Sequence, residues 1–208
     1  MRLARAGLPP AAALAFMAAG GYVISPVITA ALIFPLAMTL WFYRDPNRTP
    51  PSDPNVWVSP ADGQVVEIVE EVTDSYAGRT TKIGIFMNGF DVHVNRFPVS
   101  GEIEEILHVP GKKWFAFAPK ASELNERLYV HALTSHGKTT LVQIAGVMAR
   151  RIICYKKGGD TLARGERYGM IQLGSKVDLY LPEGVVPSVR LGDKLKAGES
   201  AVGVANNR

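Results

Sequence analysis

The sequence predicts a mainly β domain of sandwich or barrel type, with barrel-sandwich elements, behind an N-terminal helical membrane hairpin or re-entrant segment. Three observations lead there. Beyond residue 48 the chain is cut into short β-rich runs separated by Gly, Pro and Asn turn signals, with no βαβ alternation. Several runs alternate cleanly: in Lys176-Val-Asp-Leu-Tyr-Leu181 the aliphatics Val177, Leu179 and Leu181 share one face. Finally, no charged residue occurs in the 38 positions between Arg5 and Arg44.

That uncharged stretch is nearly twice the roughly 20 residues that one spanning helix needs, and residues 1–43 are expected to form a membrane anchor. Gly20-Gly21 and Pro26 interrupt it, which predicts two legs, about Leu8 to Ala19 and about Val23 to Tyr43. Arginines flank both outer ends, so both ends favour the cytoplasmic side. A hairpin or re-entrant pair then holds the main domain on the cytoplasmic face of the cell (inner) membrane. Trp41, Phe42 and Tyr43 stand where an aromatic interface belt belongs. A cleaved signal peptide fits poorly, because the stretch is too long and no small-residue cleavage site follows it. The formal net charge of +4 is concentrated here: residues 1–48 carry +3 and the remaining 160 residues only +1. It therefore reads as membrane-flanking charge, and a nucleic-acid partner is not expected.

Residues 44–54 hold four prolines and form a linker, leaving 55–208 as the main domain. Its expected strands are Val65–Val72, Lys82–Met87, Val92–Phe97, Glu102–Val109, Arg127–Leu133, Thr139–Val147, Arg151–Tyr155 and Lys176–Leu181. Only Pro119–Arg127 has a helical composition. The C-terminal Val189–Gly203 places Gly192-Asp193 and Gly198-Glu199 turns between short apolar strands, similar to the barrel-sandwich turns of lipoyl and biotinyl carrier domains. No Gly-rich phosphate-binding motif appears. The lone Cys154 can form neither an internal disulfide nor a cysteine-only metal site, and no metal is expected.

Three clusters could carry chemistry. Ser59-Pro-Ala-Asp-Gly63 is a turn bearing a carboxylate, and taken alone it reads as an ordinary Asp-Gly turn. In Asn88-Gly-Phe-Asp-Val-His-Val-Asn-Arg-Phe-Pro98 an extended strand would project Asp91, His93 and Asn95 to one face. An imidazole there is a plausible proton-transfer group, although a solvated polar face has the same pattern. Gly169-Met-Ile-Gln-Leu-Gly-Ser-Lys-Val-Asp178 contains a Gly-Ser pair that alone says little.

Taken together, in this order and spacing, the clusters closely resemble the phosphatidylserine decarboxylase family, in particular its short bacterial and archaeal branch. The resemblance covers the whole chain: apolar N-terminus, Arg-Asp-Pro linker, Ser-Pro-Ala-Asp-Gly turn, Phe-Asp-Val-His-Val-Asn-Arg-Phe-Pro strand, Asn125-Glu-Arg127 and Leu-Gly-Ser. It implies a lyase that decarboxylates phosphatidylserine to phosphatidylethanolamine, using a pyruvoyl group and no pyridoxal phosphate. The Gly174–Ser175 bond would be cut by the protein itself. The Ser175 hydroxyl would attack the Gly174 carbonyl to give an ester. Elimination then leaves dehydroalanine, which hydrolyses to the pyruvoyl group with loss of ammonia. The products are residues 1–174 and 175–208, which stay associated; a homo-oligomer is also expected. The pyruvoyl carbonyl would form a Schiff base with the serine headgroup amine and accept the electrons left by CO2.

By the same resemblance, His93 would donate the proton that quenches the carbanion, and Asp62 would support self-cleavage. Arg96 stands where the long branch has a second histidine, so the base for self-cleavage is left open. Lys176 or Arg96 could pair with the lipid phosphate, or else simply face solvent. Lys112-Lys-Trp-Phe-Ala-Phe-Ala-Pro-Lys120 sets Trp114, Phe115 and Phe117 between basic residues, which suits a loop dipping into an anionic membrane, or else core aromatics. Two rival functions remain: a membrane-tethered, non-catalytic barrel-sandwich adaptor, and a pyruvoyl decarboxylase of a soluble amino acid.

Overall fold

The computed structural model describes residues 2–112, 124–146, 151–172 and 174–206. It comprises two compact units, Met1–Asn47 and Arg48–Arg208.

The first unit runs β1 (Arg2–Leu3), a 3-10 turn (Arg5–Gly7), α1 (Leu8–Ile24), α2 (Pro26–Phe42) and β2 (Arg44–Asp45). The two helices pack against each other as a hairpin. Pro9 and Pro10 sit in the first turn of α1, where a missing N–H costs little. The break between the legs falls later than expected. Helix α1 continues through Gly20-Gly21, because each glycine costs only about 1 kcal/mol in a helix. Ser25-Pro26 is the stronger stop: Ser25 is extended, as the residue before proline prefers, and its hydroxyl accepts the Val27 amide at 3.2 Å as an N-cap. β1 pairs antiparallel with β2, matching Arg2 to Asp45 and Leu3 to Arg44, so the hairpin's two ends meet. The Arg44 guanidinium lies 4.3 Å from the centre of the Trp41 ring. Arg5–Ile24 is long and apolar enough to cross a membrane, while α2 has 17 residues.

The second unit is built from antiparallel strands. In chain order they are β3 (Val56–Val58), β4 (Gly63–Asp74), β5 (Gly78–Met87), β6 (Val94–Arg96), β7 (Gly101–Val109), β8 (Arg127–Thr134) and β9 (Gly137–Ala145). There follow β10 (Ile152–Cys154), β11 (Thr161–Leu162), β12 (Arg167–Ile171), β13 (Ser175–Pro182), β14 (Val185–Pro187), β15 (Lys194–Leu195) and β16 (Ala201–Ala205). Eight strands form one curled sheet in the order β11-β7-β8-β9-β13-β5-β4-β15. Two three-stranded sheets, β10-β12-β6 and β14-β16-β3, complete the unit. Each of the eight sequence-predicted runs contains a strand, although Val92–Phe97 is strand only over Val94–Arg96 and the end of Thr139–Val147 lies outside the described residues. The expected helix Pro119–Arg127 lies mostly outside the described residues, and its last residue, Arg127, opens β8.

One face of the large sheet carries the core. Ile83, Ile85, Leu141, Val177, Leu179 and Leu181 pack there with Trp57, Phe97 and Tyr168, all fully buried. Each such side chain contributes about 2 kcal/mol of transfer free energy. Strand β13 is nearly continuous in burial, on both of its faces. The alternation read from its sequence therefore marks the apolar side, while Lys176 and Asp178 on the other side are covered as well. The proline-rich linker is tied down at its end: Arg164 donates to the carbonyls of Pro51 (2.5 Å), Val56 (2.8 Å) and Asp53. At the C-terminus, Gly192 and Gly198 both take positive φ, as the predicted turns require.

Candidate active site

Strand register gathers the three sequence clusters at one end of the sheet. Ser175 opens β13, opposite Met87 at the end of β5 and Ala145 at the end of β9. Gly63 opens β4 one position from the Gln64–Phe86 pair. The Ser59–Gly63 turn is bonded to β6 through the Arg96 amide, which donates to the Pro60 carbonyl at 2.9 Å. The third cluster joins the second where the Ile171 amide donates to the His93 carbonyl at 3.3 Å, four residues before Ser175.

Ser175 is fully buried, and its Oγ has no hydrogen-bond partner among the described residues. A buried hydroxyl without a partner costs roughly 1–3 kcal/mol, which a purely structural serine would avoid. The residue before it, Gly174, has φ +58°, a left-handed conformation that side chains other than glycine rarely take. The bond joining them therefore lies at a backbone switch from a left-handed residue into a strand clamped on both sides.

His93 is fully buried and immediately precedes β6. Its Nδ1 lies 2.9 Å from the Asp91 carbonyl oxygen. A carbonyl only accepts, so Nδ1 carries the hydrogen and the lone pair of the neutral ring is on Nε2. Asp91 does not share a strand face with His93 and Asn95, as an extended reading expected. It closes a tight turn instead, its Oδ2 accepting the Asn88 amide at 2.9 Å, and the strand starts only at Val94.

Asp62 is buried against the C-terminal segment. It accepts from Arg48 at 2.9 Å and from the Ala197 amide at 2.8 Å, and Arg48 also reaches Glu199 at 2.9 Å. The turn that carries Asp62 needs its glycine, since a Cβ at Gly63 would collide with the Phe86 carbonyl oxygen. Arg96 is buried and donates to the Gly165 carbonyl at 2.9 Å. Lys176 points to the opposite side of the sheet from Ser175, into Glu67 and, at 3.0 Å, Asp178. Burial alone would lower its pKa, but the Asp178 and Glu67 carboxylates outweigh burial and hold it above the ordinary lysine range. Burial acts against ionised Glu67 too, yet Lys176 and Lys82 keep it below the ordinary carboxylate range. Gly84 makes room for this ion cluster: a Cβ there would stand 2.5 Å from Lys176 Cε. Trp114, Phe115 and Phe117 lie outside the described residues.

Sequence reading gave no role to the buried amides around Ser175. Asn125 donates to the Ala145 carbonyl at 2.7 Å, and Gln143 donates to Asn95 at 2.8 Å. The available signal was polarity in a core position: Gln143 interrupts the apolar run Leu141-Val-Gln-Ile-Ala145 on a strand whose neighbours are all buried.

The sequence profile of phosphatidylserine decarboxylase matches residues 36–203. The chain belongs to the phosphatidylserine decarboxylase family. It is an enzyme, and the activity that goes with this membership is decarboxylation of phosphatidylserine. Among curated relatives, a phosphatidylserine decarboxylase proenzyme of Nitratidesulfovibrio vulgaris is 52% identical over 163 residues, 77% of this chain and 75% of the relative. A proenzyme of the same name from Desulfotalea psychrophila is 43% identical over 179 residues, 85% of this chain and 84% of the relative. A third, from Solidesulfovibrio magneticus, is 43% identical over 207 residues, 94% of this chain and 92% of the relative. Among the described residues, no group of three or more His, Cys, Asp or Glu is placed to hold a metal ion.

Proposed function

We propose that this decarboxylase matures by cutting itself between Gly174 and Ser175, and that residue 175 becomes the pyruvoyl group on which phosphatidylserine is decarboxylated to phosphatidylethanolamine. The observation that carries the reading is the fully buried Ser175 hydroxyl, without a described partner, beside a left-handed Gly174. The residues present fit such a group. Strand β13 is paired on both sides from its first residue, so a new N-terminus at 175 stays fixed after the cut.

His93 Nε2 is the lone-pair nitrogen of the neutral ring and takes the Ser175 proton as Oγ attacks the Gly174 carbonyl carbon. The C–N bond breaks, the nitrogen of residue 175 gains a proton, and an ester links the two residues. Loss of the Cα proton and of the Gly174 carboxylate gives dehydroalanine, and water then releases ammonia. Asp62 acts at a distance: its bonds to Arg48 and Ala197 fix the turn whose Gly63 abuts Phe86, the neighbour of Met87 opposite Ser175. In the mature enzyme the pyruvoyl group supplies the electron sink that decarboxylation requires. For decarboxylation His93 takes up a second proton from solvent, at Nε2, and that proton replaces the departing carboxylate on the substrate carbon.

The hairpin of residues 1–43 anchors the enzyme where its lipid substrate lies. Helix α2 has no buried residue, and Phe16, Val23, Val27 and Phe34 are all well exposed, a surface suited to acyl chains and not to water. Arg5–Ile24 is about 30 Å long at helical rise, the thickness of a bilayer core. Because β1 and β2 join its ends, Arg2, Arg5 and Arg44 all belong on one side, which positive-inside bias makes cytoplasmic. Trp114, Phe115 and Phe117 are assigned to headgroup contact. Arg96 and Lys176, each held by protein partners, support the site from within. The two cut chains stay together as one enzyme, which self-associates into homo-oligomers. Intact mass of purified protein tests the central claim: wild type gives residues 1–174 and 175–208, the latter blocked to N-terminal sequencing, and Ser175→Ala gives one chain. Active wild-type protein consisting of a single uncut chain would refute it.

A further inference from the structure

The amide pair Asn95–Gln143 crosses the floor of the site, and its polarity can be read from its ends. Both residues are fully buried. Asn95 Nδ2 donates to Met87 Sδ at 3.6 Å, and a thioether can only accept. That contact fixes the Asn95 amide with its Oδ1 toward Gln143. The Gln143 Nε2 must then donate, at 2.8 Å, which leaves Gln143 Oε1 as the outer acceptor. This oxygen has no hydrogen-bond partner among the described residues.

The position of that acceptor relates to residue 175 through strand register. Met87 is the β5 partner of Ser175, and Ala145 is its β9 partner, two residues from Gln143 and on the same face. Gln143 also packs on the segment leading to the cut: a Cβ at Gly169 would stand 2.9 Å from its Nε2 and 3.2 Å from its Oε1. A buried amide pair is costly in a core unless every polar atom is satisfied, and here one acceptor is left over on the sheet face that residue 175 also occupies. Its natural complement is a ligand rich in N–H donors.

Resting on the pyruvoyl reading above, we propose that Gln143 is a substrate-binding residue whose Oε1 accepts a hydrogen bond from the primary amine of the serine headgroup, with Asn95 and Met87 as the positioning residues that fix its polarity. The amine is thereby oriented toward residue 175, and lipids without N–H donors gain nothing from this contact.

The test compares wild type, Gln143→Met and the double variant Asn95→Leu/Gln143→Met, which removes both amides and leaves neither orphaned. Each is isolated as the full chain in detergent. Mass spectrometry gives the fraction cut, and borohydride capture of phosphatidylserine in mixed micelles is read as the mass gain of the 175–208 chain. Capture is plotted against phosphatidylserine mole fraction and normalised to cut chains. The expected result is near-normal cutting, with about tenfold more phosphatidylserine needed for half-maximal capture, as follows from losing one hydrogen bond to a charged or strongly polar group. A structural role alone would lower the cut fraction without moving the half-saturation point. The proposal is overturned if a cut variant saturates like wild type, or if the double variant stays uncut, since the pair would then serve maturation. If wild type itself is uncut yet active, the pyruvoyl reading fails and takes this inference with it; wild-type cutting with unchanged capture in the variants rejects Gln143 alone.

Discussion

Replacing Lys176 by Met should destabilise the catalytic unit strongly, and a second substitution should restore much of the loss. The Lys176 ammonium lies 3.0 Å from Asp178 and also contacts Glu67, with side-chain exposures of only 4% for Lys176 and 1% for Asp178. At 3.0 Å and an effective dielectric near 20, the Lys176–Asp178 attraction is roughly 5 kcal/mol before desolvation is subtracted. Removing the ammonium leaves Asp178 charged in a buried site, which costs about 3–5 kcal/mol. Glu67 is less affected, because Lys82 still reaches it at 2.6 Å. For a unit of this size, about 1 kcal/mol corresponds to some 2–4 °C in Tm, so Lys176→Met should melt at least ~6 °C lower. Lys176→Met/Asp178→Leu removes both charges and should lie within about 2 kcal/mol of the parent. Thermal melts and guanidinium titrations would be followed by tryptophan fluorescence in a Ser175→Ala background, so that every chain is uncut. A Lys176→Met loss below ~1 kcal/mol, or a double variant as unstable as the sum of the singles, would refute the reasoning, since either means the pair is solvated or independent.

Gly63→Ala should cost about 3 kcal/mol and slow self-cutting, because its Cβ meets the Phe86 carbonyl beside the strand end that faces Ser175; the cut fraction over time on denaturing gels checks this. His93→Ala should slow self-cutting and also lower decarboxylation per cut chain by about 10²–10⁴-fold, read as cut fraction on denaturing gels and as CO2 release; wild-type cutting together with a loss under tenfold would remove His93 from proton transfer. Glu67 is held below its unfolded pKa of about 4.5, so its contribution to stability is present above that pH and is lost as pH falls through the lower folded value. Urea midpoints from pH 6 down to pH 3 should therefore fall less steeply in Glu67→Gln than in the parent. Carbonate washing of membranes should leave the full chain in the pellet, whereas complete release would argue against the hairpin as an anchor.

Much was legible in the sequence because local rules govern it. Period-two alternation and turn residues located a strand within each of the eight expected runs, and the uncharged stretch before Arg44 located the helical pair. The stop between the helices falls a few residues beyond Gly20-Gly21, because two helical glycines cost less than continuing the helix past the cap-and-proline signal of Ser25-Pro26. Short strands such as β3, β11 and β12 left little trace, since a run of two to five residues owes its conformation to the strand it pairs with.

The sequence by itself determined the class of fold and the family resemblance, and it singled out Gly174–Ser175 as the bond proposed to be cut, because these depend on the order of residues along one chain. Only the tertiary structure decided what surrounds that bond. Register sets Met87 and Ala145 opposite Ser175, and burial leaves its hydroxyl without a described partner. Contacts from distant strands turn Lys176 toward Glu67 and Asp178 and Arg96 toward the Gly165 carbonyl. The direction of the Gln143 amide is the clearest case: it follows from a methionine 56 positions away, by a chain of hydrogen bonds that no local pattern encodes.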